Sequence, residues 1–175
     1  MTPHDSGYVH VYTGDGKGKT TAAIGLAVRA AGYGLLTYIG QFMKGQRYGE
    51  LTALRQLPGI TVEQYGDQGC IRKEEVSPAH RARANAGLRL AREATLSRRY
   101  DIIVLDEVNV ALWFGLLEEE AVVKLLDERP PEIEMVLTGR GAPKALLDRA
   151  DLVTEMRAVK HYYNHGLQAR EGIEY

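Results

Sequence analysis

Asp101-Ile102-Ile103-Val104-Leu105-Asp106 sets four consecutive apolar residues between two carboxylates. A strand with one wet face alternates polar and apolar residues. Four apolar residues in succession need cover on both faces, as in the middle of a parallel sheet packed between helices. The rest of the chain repeats the theme. Further strands are predicted at Tyr8–Thr13, Leu35–Phe42, Ile60–Tyr65, Ile133–Thr138 and Leu152–Met156. The spacing predicts helices over Gly18–Ala31, Tyr48–Leu57, Pro78–Arg99, Leu116–Glu128 and Pro143–Arg149. Ala22, Ala23, Leu26, Ala27 and Ala30 share one side of the first, which stops at Gly32 and Gly34. Ser77-Pro78 opens the third as N-cap and first helical residue. Residues 66–76 read as a loop, and the tail after Met156 as irregular. Such alternation is the α/β pattern, and ligands then bind beyond the carboxyl ends of the strands. The loops of interest begin at residues 14, 41, 66, 107 and 139.

Composition narrows the function. The 175 residues suit a single domain spanning 1–175. Lys plus Arg is 22 and Asp plus Glu is 23, a net charge of −1, which argues against a strongly basic nucleic-acid binder. The arginines at 81, 83, 89, 92, 98 and 99 read as a solvated helix face. Cys70 is the single cysteine, so an intrachain disulfide and a cysteine-cluster metal site are excluded. The start of the chain lacks a basic stretch followed by an apolar one, and no run approaches a membrane span. A cytoplasmic protein without membrane or nucleic-acid partners is expected. Glycine is over-represented, 19 of 175, with no repeat or linker to account for it.

Gly14-Asp15-Gly16-Lys17-Gly18-Lys19-Thr20-Thr21 follows a predicted strand and opens a predicted helix. That is the setting of a phosphate-binding P-loop: backbone N–H groups and the helix N-terminus face the phosphates. All eight residues are nucleotide-binding candidates. Lys19 supplies charge, Thr20 a hydroxyl for Mg²⁺, and Lys17 a second cation. Thr13 stands where the usual spacing has the first glycine. The expected architecture is therefore a three-layer, P-loop NTPase-like α/β fold with a mostly parallel six-stranded sheet.

Asp106-Glu107 ends the central strand, where P-loop enzymes place an acid that holds Mg²⁺. Only one of the two side chains can enter the site unless the strand has already ended. Asp106 is the candidate metal ligand, and Glu107 either a second ligand or a water-activating base. Lys44 leaves the second strand as a ligand contact or as a solvated lysine in a turn. Arg140, between Gly139 and Gly141, can approach an anion closely. His161, Tyr162 and Tyr163 form either a packed terminal segment or a ligand wall.

Thr13–Ala23, Gln41–Gly45, Val104–Glu107, Leu137–Gly141, Ala150–Met156, Val159–His161 and Gly172–Tyr175 together resemble the ATP:corrinoid adenosyltransferases of the CobA/BtuR/CobO type. The resemblance runs in order over nearly the whole chain. It implies that Co(I) of a reduced corrinoid, cobalamin or cobinamide, attacks the 5′ carbon of ATP and that triphosphate leaves intact. Lys19 and Glu107 become the catalytic candidates. Thr20, Asp106 and Glu107 become the Mg²⁺ ligands, with Lys44 and Arg140 as ligand contacts. It also implies a homodimer and a reductant protein or flavin. Two departures stand out. Relatives carry aromatic residues in the loop after the third strand, where this chain has Gly69-Cys70-Ile71-Arg72. Some have a long N-terminal helix over the site, whereas here about seven residues precede the first predicted strand.

Overall fold

The computed structural model describes residues 6–46, 48–69 and 71–175; Cys70 lies outside them. The strands are β1 (Val9–Thr13), β2 (Thr37–Gln41), β3 (Ile60–Gln64), β4 (Ile102–Asp106), β5 (Glu134–Thr138) and β6 (Leu152–Glu155). The helices are α1 (Lys19–Gly32), α2 (Gly49–Leu54), α3 (Pro78–Leu96), α4 (Val108–Trp113), α5 (Glu119–Glu128) and α6 (Lys144–Leu147). One sheet orders the strands β3-β2-β4-β5-β1-β6, and every pairing is parallel.

β4 meets the expectation of cover on both faces. Ile103 and Leu105 enter one hydrophobic cluster, shared with Leu88, Ala91, Leu125 and Leu146. Ile102 and Val104 enter the other, with Ala23, Ala27 and Ala30 of α1 and Leu54 of α2. These are the three layers. Each core leucine or isoleucine removed from water contributes about 1.5–3 kcal/mol.

The helix boundaries differ from the sequence reading in several places, among them α2, which ends at Leu54 rather than Leu57, and α6, which spans Lys144–Leu147 rather than Pro143–Arg149. α3 stops at Leu96 rather than Arg99, because Arg98 takes a left-handed conformation (φ 55°) that no helix continues through. The helix expected from Leu116 begins at Glu119. Residues 108–113 form α4, which periodicity did not reveal: six residues, apolar at all but one position, carry no 3.6-residue signal. The arginines at 81, 83, 89, 92, 98 and 99 are exposed, as expected of a solvated face. Arg92 pairs with Glu128 and Arg98 with Glu132, both at 2.6 Å.

Tyr65, just past β3, fills a slot between two glycines. A Cβ on Gly87 of α3 would overlap its ring, and one on Gly40 would lie 2.9 Å from it. The ring meets Phe42 edge-on at 5.3 Å. Its hydroxyl donates to Glu63 at 2.8 Å and pairs with the Tyr38 hydroxyl, and burial raises both phenol pKa values. Gly87→Ala is therefore expected to destabilise by about 1–3 kcal/mol, although alanine is the better helix former. Thermal melts should show Tm falling by roughly 3–10 °C. An unchanged Tm would mean that the ring shifts without cost.

Candidate nucleotide site

Strand register assembles the polar cluster. Gln41 ends β2 and sits beside Asp106 at the end of β4; Thr138 ends β5. In β4 and β5 these positions continue the Ile102–Val104 and Val136 rows, so Asp106 and Thr138 emerge on the α1 side. Asp106 is fully buried and fully engaged. Thr20 and Thr138 each donate a hydroxyl to Oδ1 at 2.7 Å. Gln41 Nε2 donates to Oδ2 at 3.2 Å, and Lys44 Nζ lies 3.0 Å from the same oxygen. Lys44 is thus not a solvated turn lysine. Burial opposes its charge, but Asp106 and Glu50 outweigh burial and leave its pKa above the ordinary lysine value.

The glycine loop is shaped by its neighbours. Gly14 has φ 92°, and a Cβ there would run into the Met156 carbonyl at the exit of β6. Gly16 donates its N–H to that carbonyl at 2.6 Å. Thr13, the departure from the usual spacing, accepts the Ala142 N–H on its hydroxyl at 3.3 Å, which ties β1 to the loop after β5. Gly18, at φ 117°, caps α1 without a side-chain acceptor, and the first turn holds no acid. The leading N–H groups of a 14-residue helix are left for an anion. Lys19 is buried and folds back, donating to the carbonyls of Gly14 at 2.8 Å and Gly16 at 2.6 Å. Burial pulls its pKa below the ordinary lysine value; Glu107 opposes this and Arg140 adds to it.

Glu107 answers the question of facing. β4 has ended, and Glu107 turns left-handed (φ 60°) as the N-cap of α4. Its N–H donates to Thr138 Oγ1 at 2.9 Å. Burial and Asp106 raise its pKa, while Lys44, Lys19 and Arg140 oppose the rise. Asp15, Thr21 and Arg140 are exposed on the rim.

Lys17 lies elsewhere. Its ammonium donates to Tyr162 Oη at 2.9 Å, Ile173 O at 2.9 Å and Glu174 Oε1 at 2.7 Å. These bonds raise its pKa, while Arg170, Lys17 and Tyr162 hold Glu174 well below the usual carboxylate range. The Tyr175 carbonyl oxygen lies 3.7 Å from where a Cβ on Gly49 would be. The last residues therefore cross from the glycine loop to the start of α2. Sequence reasoning offered no signal for this clasp beyond the resemblance of Gly172–Tyr175. On the other side of the sheet, Phe42, Met43, Tyr65, Ile71, Ala84 and Leu116, together with Asp67 and His80, line a small hollow beneath loop 66–77.

A glycine turn feeding an uncapped helix, with lysine and threonine at its first positions, is how P-loop NTPase-like proteins hold phosphate, and the fold agrees with that class. The cytoplasmic domain of EssC superposes with a TM-score of 0.56 at 19% identity, over 94% of this chain and 34% of that one. A KaiC-like protein of Pyrococcus horikoshii OT3 gives 0.54 at 15% identity, over 89% and 74%. The family described as ATP:corrinoid adenosyltransferase BtuR/CobO/CobP matches residues 5–175, and the chain belongs to it. A corrinoid adenosyltransferase of Pseudomonas aeruginosa is 34% identical over 172 residues, 98% of this chain and 85% of the relative. One from Escherichia coli K12 is 33% identical over 171 residues, covering 98% and 87%. The CobA protein of Salmonella typhimurium is 34% identical over the same shares.

Proposed function

We propose that this chain, as a single domain over 1–175, transfers the 5′-deoxyadenosyl group of ATP to the cobalt of a reduced corrinoid. The cobalt–carbon bond forms as the bond from C5′ to the triphosphate oxygen breaks. Co(I) supplies the electron pair, and triphosphate leaves with the pair of the broken bond. The observation that carries the reading is the cluster at the mouth of an uncapped helix, where Thr20 and Lys44 meet the buried Asp106 and Lys19 lies buried in the glycine loop. That site stabilises charge on a departing polyphosphate. The nucleophile belongs to the corrinoid, so the protein's work is positioning and electrostatics. Glu107 is then a metal ligand rather than a water-activating base.

The donors fit Mg²⁺. Thr20 and Asp106 present hard oxygens 2.7 Å apart, with Glu107 the residue after Asp106. Among the described residues no group of three or more His, Cys, Asp or Glu gathers as an all-protein cage. Mg²⁺ suits such a sparse set, because it keeps waters and takes phosphate oxygens. Bound there, it supplies charge neutralisation to the triphosphate. The same reading includes a homodimer, a cytoplasmic location and a separate reductant protein or flavin. No helix among the described residues is long and apolar enough to cross a membrane.

Anaerobic incubation with cob(I)alamin, ATP and Mg²⁺ tests the reading. The corrinoid spectrum should move to that of the adenosylated form, with triphosphate appearing in equal amount. ADP and phosphate without an adenosylated corrinoid would instead mark a P-loop hydrolase or small-molecule kinase.

A further inference from the structure

Asn109, the second residue of α4, is fully buried. Its Nδ2 donates to the Gly139 carbonyl at 3.1 Å. The carbonyl dictates that orientation, since the flipped amide would set two acceptors against each other. Its Oδ1 then has no protein partner among the described residues. A buried acceptor without a partner destabilises the fold. Leucine has the same branching and would avoid that cost, so packing alone does not explain an amide here.

The backbone it holds leads into Arg140. Gly139 has φ 131°, and a Cβ there would stand 3.0 Å from both Asn109 Cβ and the Val110 nitrogen. Its N–H donates to the Tyr12 carbonyl at 3.1 Å. Gly139 is thus pinned on both sides, by β1 through its N–H and by Asn109 through its carbonyl. Gly141, just beyond, has nothing within 4 Å of where a Cβ would stand. Arg140 lies between the pinned glycine and the open one.

We propose that Asn109 is a positioning residue: by holding the Gly139 carbonyl it directs Arg140 at the anionic ligand. This rests on the reading of Arg140 as a triphosphate contact. The unpaired amide oxygen is the stability given up for that placement.

The test uses Asn109→Leu, Arg140→Ala and the double variant, with kcat and KM for ATP measured separately beside thermal melts. Asn109→Leu is expected to keep or raise Tm while kcat/KM falls about tenfold or more. Asn109→Ala, which cannot overfill the site, carries the same expectation for activity. The double variant should be no worse than Arg140→Ala. Parent activity in Asn109→Leu and Asn109→Ala beside an impaired Arg140→Ala overturns the positioning role, as do losses that multiply. Parent activity in Arg140→Ala removes the underlying contact, and the proposal with it.

Discussion

Lys19→Ala is expected to lower corrinoid adenosylation by about 10²–10³-fold or more while leaving Tm nearly unchanged. Lys19 is buried at the mouth of α1, and two loop carbonyls hold its ammonium in readiness. Its pKa is already pulled down by burial, so the folded state gains little from keeping a charge there. On the proposed function the charge serves the phosphates. As the leaving group takes up electrons, a fixed cation in a half-enclosed site is worth more than one in water. Arginine is not expected to rescue the loss, because its wide planar fork does not fit a cradle built for a point charge. Steady-state adenosylation and a melting curve check this together. Retained turnover would take the glycine loop out of the mechanism.

Asp106→Asn should lose both activity and stability, which separates it from Lys19→Ala. Asp106 Oδ1 receives hydroxyls from Thr20 and Thr138, and Oδ2 faces Gln41 and Lys44. Asparagine keeps the shape and removes the charge. Lys44 then stands largely buried beside a neutral amide, with Glu50 at 3.3 Å as its remaining ion-pair partner. Removing one member of a buried pair typically costs about 3–5 kcal/mol; the remaining Glu50 contact holds the expectation to about 2–3. Tm should fall by roughly 5–10 °C. Adding Lys44→Met should recover most of that stability, since it removes the buried ammonium that Asp106→Asn leaves without its nearest countercharge. Turnover should stay lost, because the proposed Mg²⁺ ligand is still missing. Recovery of both together would move the metal elsewhere.

The glycine loop, the Asp106-Glu107 strand end and the mostly parallel sheet were legible because each is encoded in a few adjacent residues. Gly14–Thr20 needs only a strand before it and a helix after it. The run Ile102–Leu105 declares two covered faces by its apolar succession alone. α4 was not legible: its six mostly apolar residues carry no period, and Glu107 begins it in a left-handed turn that nothing local demands.

The partners of these groups were decided by the tertiary structure. Lys44 was open between a ligand contact and a solvated turn until the β2–β4 register set Gln41 beside Asp106. Lys17 reads as a loop cation, yet its carboxylate partner is 157 residues away. Asn109 reads as one polar residue in an apolar run, and only the approach of Gly139 gives its amide an object. The sequence by itself determined the class of fold and the glycine turn that opens α1, because spacing along one strand, turn or helix is a local property. Only the tertiary structure decided which charges meet, because strand order and register bring together side chains that no local spacing relates.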